Sequence, residues 1–262
     1  MTQQDPARSF GSAVDSYDRG RPGYPDDAVD WIVAHAPARA PGARLPERAR
    51  AAGADASDRL RALDLGAGTG KFTASLVARG LDVTAVEPDG AMRGRLVESL
   101  PSVTALPGTA EEIPLASASV ELVTIAQAWH WVDPVRASEE IARVLVPGGV
   151  AALVWNIRDE SVPWVRRLGE VAGSSPAERF ETLQPPLGPA LVRRAFAAFD
   201  WTFELERAAL LDMFASRSYV IALPEEERAA VLAAVSGVVE GLPGDRVGMP
   251  YATRVTLAGR AG

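Results

Sequence analysis

The run Leu63-Asp64-Leu65-Gly66-Ala67-Gly68-Thr69-Gly70 carries the chemistry most open to reading in this chain. A short apolar stretch, Arg61 to Leu65, stops at Gly66, and Phe72 and Leu76 then mark a helix. Glycines between a strand and a helix let the backbone approach a ligand and admit positive φ. The spacing departs from the G-x-G-x-x-G of dinucleotide sites, because the third glycine comes one residue early and Lys71 takes its place. A nicotinamide oxidoreductase is therefore the weaker alternative. The phosphate loop G-x-x-x-x-G-K-[S/T] does not occur.

Glu87 ends the next apolar run, Leu81 to Val86. An acid at that strand end, about 20 residues past the turn, can accept both hydroxyls of a ribose. The other reading of Glu87 is a helix cap or a solvated acid. His130, between Trp129 and Trp131, is the most reactive-looking residue. A histidine can take a proton near neutral pH. Alternatively it shapes a pocket or hydrogen-bonds backbone. Cysteine is absent and histidine occurs twice, at His35 and His130, which rules out thiolate chemistry and a His-rich metal cluster. Asp133 and Asn156 are isolated candidates better suited to solvated or capping roles, so no metal is expected.

The elements that must position these residues alternate. Strands are expected at 61–65, 81–86, 103–106, 120–126 and 150–155, with helices near 72–79, 91–100 and before Leu145. Strands that are apolar throughout and alternate with helices argue for an α/β fold with a parallel sheet covered on both faces. Pro25-Asp26-Asp27 opens an earlier helix, since proline suits a first turn and acids suit its positive end. Residues 37–60 read as a mobile loop, rich in Ala, Arg, Pro and Gly. Residues 156–200 read as mainly helical. A half-buried strand is expected at 201–205, a helical stripe at 231–239, and a last strand at 251–257.

At 262 residues, with 47% hydrophobic and 23% charged, the chain suits one domain with a cap. Its net charge of −7 speaks against a nucleic-acid partner. No targeting or membrane-spanning run is visible, so a cytoplasmic protein without membrane contact is the expectation.

The sequence resembles the class I S-adenosylmethionine-dependent methyltransferases, and within them the type 11 group that includes trans-aconitate methyltransferase-like proteins. The matching residues are the LDLGAGTG turn, Glu87-Pro88, Gly108 to Pro114, Ala126 to Trp131 and Pro147-Gly148-Gly149. The resemblance is specific over about residues 60–156. It implies a Rossmann-like doubly wound sheet of seven strands, mostly parallel with the last antiparallel, plus an N-terminal lid and a helical cap. Within one domain, 1–36 would be the lid and first helix, 61–156 the cofactor core, and 157–262 the cap helices and C-terminal strands.

The resemblance also implies the site. Gly66, Gly68 and Gly70 would face the S-adenosylmethionine amino-acid portion, with Asp64 supporting the turn. Glu87, with Pro88, would hold the ribose, and Ala110 and Glu111 would lie beside the adenine, although Thr109 stands where many relatives carry an acid. Gln127 would line the methionine side. By their own residue types, 9–25 read as a lid over the occupied site from which Tyr17 and Arg21 would join the cofactor, the Arg21 fork binding a carboxylate; the alternative is a helix packed permanently on the sheet edge. Trp129 and Trp131 read as pocket or core aromatics, and His130 as the candidate base. The implied activity is methyl transfer to a small-molecule acceptor, oxygen before nitrogen or carbon, by a monomer or homodimer. A protein that holds the cofactor without methylating is the alternative.

Overall fold

The computed structural model describes residues 21–38, 59–173, 184–215 and 217–262. Phe10, Tyr17 and Arg19 of the expected lid, and residues 39–58 of the expected loop, lie outside that range.

Seven strands form one sheet: β1 (Arg61–Leu65), β2 (Asp82–Val86), β3 (Thr104–Leu106), β4 (Val120–Ala126), β5 (Leu145–Arg158), β6 (Leu191–Glu206) and β7 (Arg246–Arg260). Their order is β3-β2-β1-β4-β5-β7-β6. β1 to β5 pair in parallel, and β7 runs antiparallel to both β5 and β6. This is the Rossmann-like mixed sheet expected from the sequence. The chain steps outward from β1 to β3, then returns to β4 on the other side of β1. A crevice opens outside the carboxyl ends of strands at such a switch point, which is where ligands bind in open α/β sheets.

Helices cover both faces because each apolar stripe needs a partner. α1 (Asp26–His35) starts at Pro25 with Asp26 and Asp27 in its first turn, and α2 (Lys71–Ala78) follows the glycine turn. Val29 and Ile32 of α1 pack with Phe72 and Leu76 of α2 against Leu122 and Val154. α3 (Gly90–Ser99) buries Leu96 beside Ala85 and Val103. On the other face α4 (Pro134–Val144) buries Ile141 and Val144 against Val123, Ile125 and Trp155. Each fully buried side chain of this kind contributes about 1.5–3 kcal/mol.

A separate core supports the cap. It joins α5 (Pro163–Ala172), α6 (Arg207–Ala215) and α8 (Glu225–Glu240), with the short α7 (Ser218–Ile221) between the last two. Val165, Leu168, Phe214, Val235 and Val239 meet Met249 and Tyr251 of β7 there.

Two expectations need correction. Residues 156–200 are not mainly helical: α5 is the described helix in that stretch, and β6 already begins at Leu191. The stretch Ala195-Phe196-Ala197-Ala198 has the composition of a helix, but it lies in β6, whose fifteen paired positions with β7 and alternating exposure make an edge strand, where context overrides propensity. The fifth strand, expected at 150–155, starts earlier, at Leu145, and includes Pro147-Gly148-Gly149 as an irregular part where the β4 register shifts. No helix among the described residues is long and apolar enough to cross a membrane.

Candidate active site

The glycine turn sits at the carboxyl end of β1, and its three glycines have different jobs. Gly66 has φ +69°, and a Cβ there would lie 2.7 Å from Ala128 Cβ, so the turn can pass close to β4 only without a side chain. Gly70 stands at the cap position before α2 and faces Leu96 of α3 and Leu100 just past its end. Gly68 has φ +57°, and among the described residues a Cβ there would meet nothing nearer than Met92 Sδ at 4.0 Å. Of the three, Gly68 is the one with room for a ligand among the described residues.

Asp64 lies beneath the turn and is 1% exposed. Thr73 Oγ1 of α2 donates to its Oδ2 at 2.6 Å, and Thr124 Oγ1 of β4 donates to its Oδ1 at 2.8 Å. Burial pushes the Asp64 carboxyl up to about 6, against the pull of these donors. Asp64 thus ties β1, α2 and β4 together from within.

Glu87 stands one residue beyond β2, 5% exposed. Gly68 N–H donates to its Oε2 and Asp89 N–H to its Oε1, both at 2.8 Å. Burial raises its carboxyl above the ordinary range while these two amides oppose the rise. Half-buried Pro88 separates it from Asp89, which caps α3 through the amides of Ala91 and Met92. The cap reading therefore belongs to Asp89, not Glu87. Arg93 Nη1 donates to the Glu87 carbonyl at 2.7 Å.

Ala110 is buried in the core below the sheet's edge. Glu111 accepts the Asp133 N–H at 2.8 Å, and Asp133 in turn caps α4. Ile113 N–H donates to Glu140 Oε2 at 2.8 Å, and Arg143 donates to the Ile113 and Leu115 carbonyls. The 110–115 loop is thereby held to α4, next to the turn that follows β4.

That turn carries Gln127, Ala128 and the 3-10 segment Trp129–Trp131. Gln127 has φ +58°, left-handed for a residue with a side chain. Such a conformation costs about 1–3 kcal/mol and persists only where the surroundings fix it. Here Gln127 N–H donates to the Val154 carbonyl at 2.9 Å and its Nε2 to the Asn156 carbonyl at 3.0 Å. Trp129 is buried in the core and donates its Nε1–H to the Pro186 carbonyl at 2.8 Å. Trp131 is 40% exposed, with its ring 4.7 Å from that of His130. Of the two tryptophans, Trp129 takes the core position.

His130 Nδ1 is buried with no hydrogen-bond partner. Burial first, and the Arg21 guanidinium second, lower the His130 ring to about 4. The imidazole is uncharged at neutral pH, and Arg21 is brought to the same end of the sheet.

The structure also joins residues that the pattern reading set aside. Asn156 is neither solvated nor a cap: it is 8% exposed, its Nδ2 donates to the Gly23 carbonyl at 2.8 Å, and Thr253 Oγ1 donates to its Oδ1 at 2.6 Å. Trp201 Nε1 completes the chain by donating to Thr253 Oγ1 at 2.8 Å. A polar side chain inside an apolar strand was the available signal, since burial without a partner is costly. The same signal holds for Thr124 in Val-Glu-Leu-Val-Thr-Ile-Ala.

Comparison with known proteins bears on the family and the fold. Residues 63–153 match the family described as the methyltransferase domain. A Mycobacterium tuberculosis protein named an uncharacterized methyltransferase is 46% identical over 266 residues, spanning 98% of this chain and 99% of that relative. A Schizosaccharomyces pombe protein named an uncharacterized methyltransferase-like protein is 32% identical over 251 residues, with 93% and 90% covered. A solved structure from Anaeromyxobacter dehalogenans that carries a type II methyltransferase name superposes with a TM-score of 0.64 at 28% identity, covering 92% of this chain and 97% of that one.

Proposed function

Because the chain belongs to the methyltransferase-domain family, we propose that it is an S-adenosylmethionine-dependent enzyme methylating an oxygen of a small organic acceptor. When bound, S-adenosylmethionine supplies an electrophilic methyl on its sulfonium sulfur, which passes to the acceptor by in-line displacement. The protein's part is positioning and charge.

The observation that carries this reading is the bare Gly68 beside an oriented Glu87 at adjacent strand ends. With one amide donor on each oxygen, the Glu87 carboxylate keeps acceptor capacity for two ribose hydroxyls. Open space over Gly68 admits a ligand close to the backbone. Ala110 and Glu111 border the base side, and Gln127 the amino-acid side, held by its own strand contacts.

The acceptor side follows from His130 and Arg21. A ring that titrates near 4 is a weak base at neutral pH, so His130 accepts a hydrogen bond and orients the acceptor more than it removes a proton. The Arg21 charge beside it favours an oxygen nucleophile that already bears negative charge. The net charge of −7 favours a small acceptor over a nucleic acid.

Incubation with methyl-labelled S-adenosylmethionine and fractionated small-molecule extracts tests this reading. Stoichiometric S-adenosylhomocysteine and a labelled ester or ether are expected. Tight S-adenosylhomocysteine binding with no transfer to any fraction would favour a protein that holds the cofactor without methylating.

A further inference from the structure

Asn156 lies at the carboxyl end of β5, and three separate parts of the chain converge on it. Its side-chain amide holds the Gly23 carbonyl, its backbone carbonyl holds Gln127 Nε2, and its amide oxygen is held by Thr253 of β7. Trp201 of β6 donates to the same threonine hydroxyl, which leaves that hydroxyl its own proton to give to Asn156 Oδ1. The amide orientation is thereby fixed, and Nδ2 must face Gly23.

Gly23 is two residues from Arg21. The next residue, Tyr24, packs edge-on against Phe72 at 4.7 Å between ring centroids, and α1 begins at Asp26. The segment from Arg21 to Pro25 is extended or bent rather than helical, so its backbone has no ladder of its own. The Asn156 bond supplies a fixed point for it. On the other side, the same residue braces the left-handed Gln127 that begins the turn carrying His130.

We propose that Asn156 is a positioning residue that fastens the N-terminal segment at Gly23, setting Arg21 against His130 across the mouth of the site. The proposal rests on the reading of this sheet end as the methyl-transfer site, but its geometry can be tested without any acceptor. Two oriented elements, the segment and the Gln127–Trp131 turn, then share one anchor, and the charge that the acceptor oxygen meets depends on a side chain that touches neither donor nor acceptor.

The test is proton NMR titration of the two imidazoles in the full chain, with His130 assigned by His130→Gln. The variants are Arg21→Gln, Asn156→Ala and Thr253→Val, each checked for fold by its thermal transition. In the native chain His130 is expected to titrate near 4. Removing the Arg21 charge should move the His130 midpoint up by on the order of 0.5–1 pH unit. Asn156→Ala should produce most of that rise, and Thr253→Val, the milder change, a measurable part of it. A purely structural Asn156 would lower the thermal transition and leave the His130 midpoint where it was. That outcome, or an Arg21→Gln variant whose His130 titrates as in the native chain, would overturn the proposal. Should Asn156→Ala fail to fold, Thr253→Val alone decides. A native chain that transfers no methyl would contradict the functional reading of the site, whereas the titration decides the tether by itself.

Discussion

The backbone N–H of Gly68 donates to Glu87 Oε2 at 2.8 Å, linking the turn after β1 to the residue after β2. Gly66 and Ala67 add N–H bonds to the Val86 carbonyl at 2.8 and 3.2 Å. The two strand ends therefore move as one, and the carboxylate points along the turn rather than into solvent. A ligand that bridges Gly68 and Glu87 meets a site already arranged, and its binding energy is not spent on ordering side chains.

The glycines of the turn should separate under substitution. Gly66→Ala drives a Cβ to 2.7 Å from Ala128 and should lower folding stability by about 1–3 kcal/mol, read by urea unfolding. Gly68→Ala meets open space and carries only the left-handed strain of about 1–2 kcal/mol. Its larger effect should be weaker S-adenosylhomocysteine binding. Equal binding by Gly68→Ala and the native chain would show that nothing approaches that backbone.

Asp64 should make stability depend on pH in a stated direction. Its carboxyl ordinarily titrates at 3.8 and is raised to about 6 in the fold, so the folded chain holds the proton longer. Its contribution is fully present below about 4 and is lost as pH rises towards about 7. Asp64→Asn should remove that slope, so the difference between variant and native stability should grow in the variant's favour from pH 4 to 7. A constant difference across that range would contradict the raised carboxyl.

His130 should leave no mark on the neutral pH profile. With its ring lowered to about 4, it is uncharged throughout pH 6 to 9. An acidic limb near 6.5 in kcat/KM that disappears in His130→Ala would contradict this. His130→Ala should lower turnover by roughly 10-fold, below the 10²- to 10⁴-fold of a full general base, with S-adenosylhomocysteine affinity intact.

Turnover should survive a chelator. Among the described residues no three His, Asp or Glu side chains gather as a metal would need. Activity that is abolished by EDTA and restored by a divalent cation would contradict this expectation.

Strands β1 and β4 were legible because they are buried on both faces. Val120 to Ala126 and Leu63 to Leu65 read as apolar runs between helical stripes, and that pattern has few alternatives. β6 was not legible at its start, since an edge strand packs on one side only and tolerates Arg193, Arg194 and a run of alanines. Glu87 could be singled out from its place at a strand end, but not the two amides that orient it. Asn156 was passed over because its partners, Gly23 and Thr253, are remote in sequence and meet only when β5 pairs with β7. Likewise, spacing could not tell Trp129 from Trp131; only packing separates the core ring from the exposed one.

Calorimetric titration of S-adenosylhomocysteine into the native chain and into Glu87→Ala tests the central claim most directly. Loss of one charged, doubly accepting contact should weaken affinity about 10- to 100-fold, or roughly 1.5–3 kcal/mol, with the thermal transition of the free protein little changed. Equal affinity in the two proteins would contradict the assignment of Glu87, and with it the placing of the cofactor across the ends of β1 and β2.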